Sequence, residues 1–85
     1  MMINDMTWER RWYVCRRRQE QLQTQHVTKL HKEMILETRS RSYANIWANY
    51  LDEADAACKY YVTDKRLAKW ADIDEIDRLG MPAGA

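Results

Sequence analysis

Arg10, Arg11, Arg16, Arg17 and Arg18 crowd into one short stretch, interleaved with Trp12 and Tyr13 and preceded by Trp8. Arginine carries a planar, permanently charged fork that suits carboxylates, phosphates and aromatic faces. Five of them beside Trp and Tyr point to a surface that docks on something acidic. Against nucleic acid, the arginines contact phosphates, and Trp8, Trp12 or Tyr13 stack on bases. Against a protein, they form charge-assisted forks with Asp and Glu. A third reading is a solvated face satisfied by Glu9, Glu20 and the acidic second half of the chain. The expected partner-binding set is therefore Arg10, Arg11, Arg16, Arg17, Arg18, Trp8, Trp12 and Tyr13.

Other reactive side chains are sparse and badly spaced for chemistry. His26 and His31 lie five residues apart, off a common helix face, and no His-Glu-x-x-His pattern occurs. Cys15 and Cys58 fall on different segments and match no disulfide or zinc framework. Asp52, Glu53 and Asp55, then Asp72, Asp74, Glu75 and Asp77, suit helix capping and a solvated face rather than acid–base work. No Gly-rich phosphate loop or Gly-x-Ser-x-Gly elbow is present. The expectation is a protein that is not an enzyme and has no cofactor and no metal.

The 85 residues carry a formal net charge of +1, unevenly spread. Residues 1–42 hold nine basic and five acidic side chains, a balance of +4; residues 43–85 hold five and eight, a balance of −3. A basic front and an acidic back bind an acidic partner, or each other. Overall charge near neutral counts against a dedicated nucleic-acid binder. Four Trp and five Tyr with no Phe favour aromatics that keep a polar edge at a surface. The first residues lack the basic start and apolar stretch of a signal peptide, and the longest uncharged run, Ser42 to Leu51, is too short to span a bilayer. With two cysteines, a reduced cytoplasmic setting is the default.

The elements that must position these residues look helical. Two glycines and one proline all fall at residues 80–84, so nothing earlier forces a break. From Asp5 to Thr38, Trp8, Trp12, Cys15, Gln19, Leu22, His26, Leu30 and Met34 share one stripe at helical spacing, polar in its middle. An unbroken helix there would run about 50 Å. A compact domain of this size is about 30 Å across. Either the helix breaks near Thr24 to Thr28 or its end packs on another chain. Residues 7–15 also carry strand formers, a secondary reading. Ser40 or Ser42 caps a second helix from Tyr43 to Val62, with the stripe Tyr43, Ile46, Trp47, Tyr50, Ala54, Ala57, Cys58 and Tyr61 and an outer-face pair Asp55–Lys59. Thr63-Asp64 opens a third segment, with Leu67 and Trp70 facing the core. Asp72 restarts a helix with Glu75 in a capping box, and Gly80 with Pro82 ends it.

The fold expected is all-α: an antiparallel long-helix hairpin closed by a short C-terminal helix pair, one domain over residues 1–80 with a flexible tail at 81–85, and dimeric because the first helix is long and the core thin. The function expected is a non-enzymatic interaction protein. Its Arg-rich helix would bind and modulate or inhibit a larger protein or nucleoprotein complex through an acidic surface. Its general character fits a phage or mobile-element accessory protein acting on host defence machinery. The alternative is a small dimeric nucleic-acid-binding regulator. On the first reading, charge reversal at Arg16, Arg17 and Arg18 removes partner binding and leaves helicity intact.

Overall fold

The structure, a computed structural model, describes residues 10–22 and 27–83. It is built on a sheet. Strands β1 (Trp12–Leu22), β2 (Val27–Thr38) and β3 (Lys59–Thr63) form an antiparallel sheet in the order β2-β1-β3, with helix α1 (Arg41–Ala54) between β2 and β3 and a short α2 (Ile73–Asp77) near the C-terminus. The expected all-α hairpin is overturned: the long first helix is instead the β1–β2 hairpin. Leu22 pairs with Val27, so the described parts of the expected helix are two antiparallel strands. The overlong helix that motivated a dimer goes with it.

Local composition explains the strands. Trp12-Tyr13-Val14-Cys15 is a continuous apolar run, as is Met34-Ile35-Leu36. A short apolar run suits a strand covered on both faces. That is how these residues sit, with Tyr13, Val14, Cys15 and Met34 all buried. Val14 packs with Ala44, Ala48, Leu51 and Tyr60 under α1, while Tyr13, Cys15 and Met34 pack with Leu67 on the opposite face. Two thin cores thus share one sheet.

The register holds one irregularity. Val14 pairs with Leu36 but Cys15 pairs with Met34, so Ile35 is an extra residue, a β-bulge. Side chains alternate faces along a strand, so one extra residue flips everything beyond it. Beyond the bulge, Arg16 stands opposite Glu33 and Arg17 opposite Lys32.

Helix α1 starts where expected, with the Ser40 side chain accepting from the Tyr43 amide. It ends earlier, at Asp55, and its buried face is Ala44, Ala48 and Leu51; of the proposed stripe, Trp47 and Tyr50 pack at the margin of this core and Ile46 is exposed. Asp55 does not pair with Lys59. Its carboxylate accepts from the Tyr60 hydroxyl at 2.7 Å, at the corner where the chain enters β3. After β3, residues 64–71 cross to the far edge of the sheet as a strap, Leu67 lying on the second core. Met34 donates to the Lys69 carbonyl and accepts from Ala71, so Trp70 pairs with Met34 along the outer edge of β2. Trp70, expected in the core, is exposed.

The chain then rounds that edge to place α2 on the α1 side. The Asp72 side chain caps α2 through the Asp74 amide. Glu75 does not complete the capping box and reaches Arg16 instead. Gly80 has φ +81°, and a Cβ there would stand 2.8 Å from the Tyr50 hydroxyl, which donates to the Leu79 carbonyl. Gly80→Ala therefore meets both backbone strain and a displaced hydrogen bond. It is expected to cost about 1–2 kcal/mol from the left-handed backbone alone, seen as a lower midpoint in thermal unfolding.

Candidate anion-binding face

Strand geometry sends the five arginines to different places. Arg16, 4% exposed, lies on the helical side of the sheet. Its Nη2 donates to Glu33 Oε1 at 2.8 Å and to Glu75 Oε1 at 2.9 Å, and Arg18 Nε donates to the same Glu33 oxygen at 3.2 Å. Burial works against the Arg16 charge, but Glu75 and Glu33 outweigh it and raise its pKa. Burial likewise pushes the Glu33 carboxyl up, but Arg16 and Arg18 outweigh it and hold it below the ordinary carboxylate value. Arg10 pairs with Asp64 at 2.6 Å and lies over the Trp12 ring, which Arg41 also approaches; Arg11 pairs with Glu37.

Four of the five are thus occupied within the protein. Tyr13 is buried, Trp12 is half-buried beneath two guanidinium groups, and Trp8 lies outside the described residues. These residues do not form the single Arg-rich docking surface expected of them. Reversing Arg16 would place a third carboxylate against Glu33 and Glu75, so the proposed triple reversal would disrupt the fold as well as any binding.

Arg17 is different. It projects from the opposite face of β1 and is exposed. Its cross-strand partners are Lys32 on β2 and Lys59 on β3, both exposed. Three cations therefore form one row across the whole sheet, Lys32–Arg17–Lys59, and none of them has a carboxylate partner among the described residues. With Tyr60 and Tyr61 they line an open cleft of about 380 Å³. A second hollow continues from Arg17 and Lys59 past Gln19 to Ala56, Ala57 and Cys58. The strap on this side adds exposed Lys65, Arg66 and Lys69, with Arg66 5.7 Å from the centre of the Trp70 ring. Seven of the eight acids of the second half, Asp52, Glu53, Asp55, Asp72, Asp74, Glu75 and Asp77, sit on or beside α1 and α2, and the eighth, Asp64, pairs with Arg10. The charge asymmetry of the sequence is thus largely an asymmetry between two sides of the sheet.

Lys32, Lys59, Tyr61 and Trp70 were invisible as site residues in the sequence, because only strand pairing brings them to Arg17. The remaining reactive groups are quiet. Burial pushes the Cys15 thiol up to about 11, and burial with Asp55 raises Cys58, so neither supplies a thiolate at neutral pH. His31 meets Glu20 at 2.9 Å. His26 lies outside the described residues. Among the described residues no cluster of His, Cys, Asp and Glu could hold a metal, and no helix is long and apolar enough to cross a membrane. Comparison with protein-family models, curated proteins and solved structures finds no match to this chain.

The buried network sets an acid limit on stability. A carboxylate with a lowered folded pKa contributes stability above its unfolded value and loses it as pH falls through the folded one. Urea unfolding from pH 7 downward is expected to show stability falling once the pH passes below about 4, the ordinary carboxylate region. Glu33→Gln should already be destabilised at pH 7, by less than the about 3–5 kcal/mol of a fully unpaired buried charge because Glu75 still reaches Arg16, and should show a shallower acid limb. An unchanged limb in that variant would mean that other carboxylates set it.

Proposed function

We propose that this protein is a non-enzymatic interaction module that docks on an acidic surface of a larger protein or nucleoprotein complex. It does so through the basic face of its sheet rather than through an Arg-rich helix. The observation that carries the reading is the Lys32–Arg17–Lys59 row. Like charges directly opposite one another across strands are destabilising. Folding alone does not call for three such cations in register on an exposed face. An external polyanion would neutralise all three. The arginines that serve the fold are paired with Glu33, Glu75, Asp64 and Glu37, which sets this row apart. Acting by occupation of such a surface is consistent with the accessory or inhibitory role expected from the sequence.

Retention on a sulfated polysaccharide column tests the reading. The wild-type protein is expected to bind at low salt and elute as ionic strength screens the row. The triple variant Arg17→Gln, Lys32→Gln, Lys59→Gln should pass through unretained. Its thermal stability should be equal to or above wild type, because each like-charged pair removed relieves roughly 0.2–1 kcal/mol. Equal retention of the variant, or its destabilisation, would count against a row held for binding.

A further inference from the structure

The basic face carries two parallel rows, and the second one narrows the chemistry of the partner. Two residues along the strands from Lys32–Arg17–Lys59, on the same face, lies the row Trp70–Met34–Cys15–Tyr61, running from the strap across all three strands. Two residues of strand separate the rows, about 7 Å. Its middle, Met34 and Cys15, is buried together with Leu67. Its ends are aromatic: Trp70 is 45% exposed, and Tyr61, half-buried where it packs on the second core, forms a wall of the cleft that Arg17, Lys32 and Lys59 line.

We infer that this face binds single-stranded nucleic acid, with the phosphodiester backbone on Lys32, Arg17 and Lys59 and bases stacked at Trp70 and Tyr61. The inference rests on the reading of the face as a polyanion-docking surface. A carboxylate-bearing surface is recognised by the cation row alone unless it also presents apolar groups at the right offset. A single strand uses both, because its charges and its flat bases are offset from one another along every nucleotide. Aromatic stacking tolerates any base, and a cationic track follows the backbone, so the pairing of the two is the general solution for unpaired strands. A duplex keeps its bases stacked inside, where Trp70 and Tyr61 cannot reach them. Arg66, over the Trp70 ring, and exposed Lys65 and Lys69 extend the positive field along the strap beside the aromatic row.

The test is fluorescence anisotropy with labelled oligo-dT and oligo-rU twelve-mers, a duplex hairpin, a polyglutamate peptide and inorganic polyphosphate, each at low and moderate salt. The single strands are expected to bind tightest, with affinity falling steeply as salt rises. Trp70→Ala is expected to weaken single-strand binding about tenfold and to leave polyphosphate and polyglutamate binding unchanged. Trp70→Phe should restore most of the loss, and thermal melts of both variants establish that they fold. Tyr61→Leu provides the same comparison at the other end of the row. If single strands, duplex, polyglutamate and polyphosphate bind alike and no aromatic variant separates them, the nucleic-acid inference is overturned while the polyanion-docking reading stands. Polyglutamate binding that exceeds strand binding has the same consequence and makes the partner an acidic protein. Failure of every polyanion to bind overturns both.

Discussion

The extra residue in β2, Ile35, is the constraint on which the rest depends. Were the hairpin to continue in register from Val14–Leu36, with Ile35 paired to Cys15 instead of bulged, Arg16 would stand opposite Met34, Arg17 opposite Glu33 and Arg18 opposite Lys32. The buried arginine would then lose Glu33 and keep only Glu75, and the exposed arginine would be neutralised by Glu33. The bulge reverses both outcomes. It carries Glu33 to the helical face, where Arg16 and Arg18 meet it, and turns Lys32 outward beside Arg17. Moving Glu33 away would leave buried Arg16 with Glu75 as its one carboxylate, and removing a partner from a buried ion pair is strongly destabilising. The buried ion pair therefore acts mainly as a device for register. Buried ion pairs often add little over apolar residues of the same shape, whereas breaking one is expensive, and the exposed cation row follows from the same register.

That choice also explains why the sheet has a core on each side. The helix covers Val14 and Tyr60, and the strap covers Tyr13, Cys15 and Met34. Glu75 on α2 then closes over Arg16 from the helical side. The C-terminal stretch is thus tied to the sheet at three places, by Leu67, by the Met34–Trp70 pairing and by the Arg16–Glu75 bond. Only the half of the sheet nearest the strap is covered on its second face. The uncovered half bears the cations, and the mutual repulsion of the three tends against the stability that the covered half supplies. Local conflicts of this kind, where charge placement disagrees with an otherwise consistent fold, are expected where a surface serves binding.

Punctuation was legible in the sequence, and the identity of the first elements was not. Ser40, Asp72 and Gly80 mark real boundaries because a cap or a left-handed residue is a local property of the chain. Strand or helix for residues 12–38 is decided by what covers each face. The stripe from Trp12 through Cys15 to Leu30 and Met34 fits a period of 3.6 by coincidence of spacing, while the apolar runs at Trp12–Cys15 and Met34–Leu36 fit a strand buried on both sides. The polar middle of the stripe, at Gln19, was the sign of trouble: it lies where the hairpin extends past β3, beyond the last β1–β3 pair at Arg17. Likewise Lys59-Tyr60-Tyr61-Val62 continues the helical pattern of the preceding segment on paper. Only Asp55, which ends α1 and accepts from Tyr60, separates them. The site was legible to the extent of one residue, Arg17, because the others reach it through long-range pairing.

A net charge of +1 argued against a nucleic-acid partner, and the fold weakens that objection. What a charged ligand senses is the local potential, which decays over about a Debye length, roughly 8–10 Å at ordinary ionic strength. The acids of α1 and α2 face the other side of the sheet, while Arg17, Lys32, Lys59, Lys65, Arg66 and Lys69 share or border this one. A low-dielectric sheet between opposite fields makes the molecule a dipole rather than a neutral body. Such a dipole orients an approaching polyanion toward one face and repels it from the other, so near-neutrality here favours a defined binding pose over indiscriminate adhesion. The same arrangement limits affinity, because three to six cations release few counterions. Tight binding would then have to draw on contacts other than charge, and on this face the accessible ones are the rings of Trp70 and Tyr61.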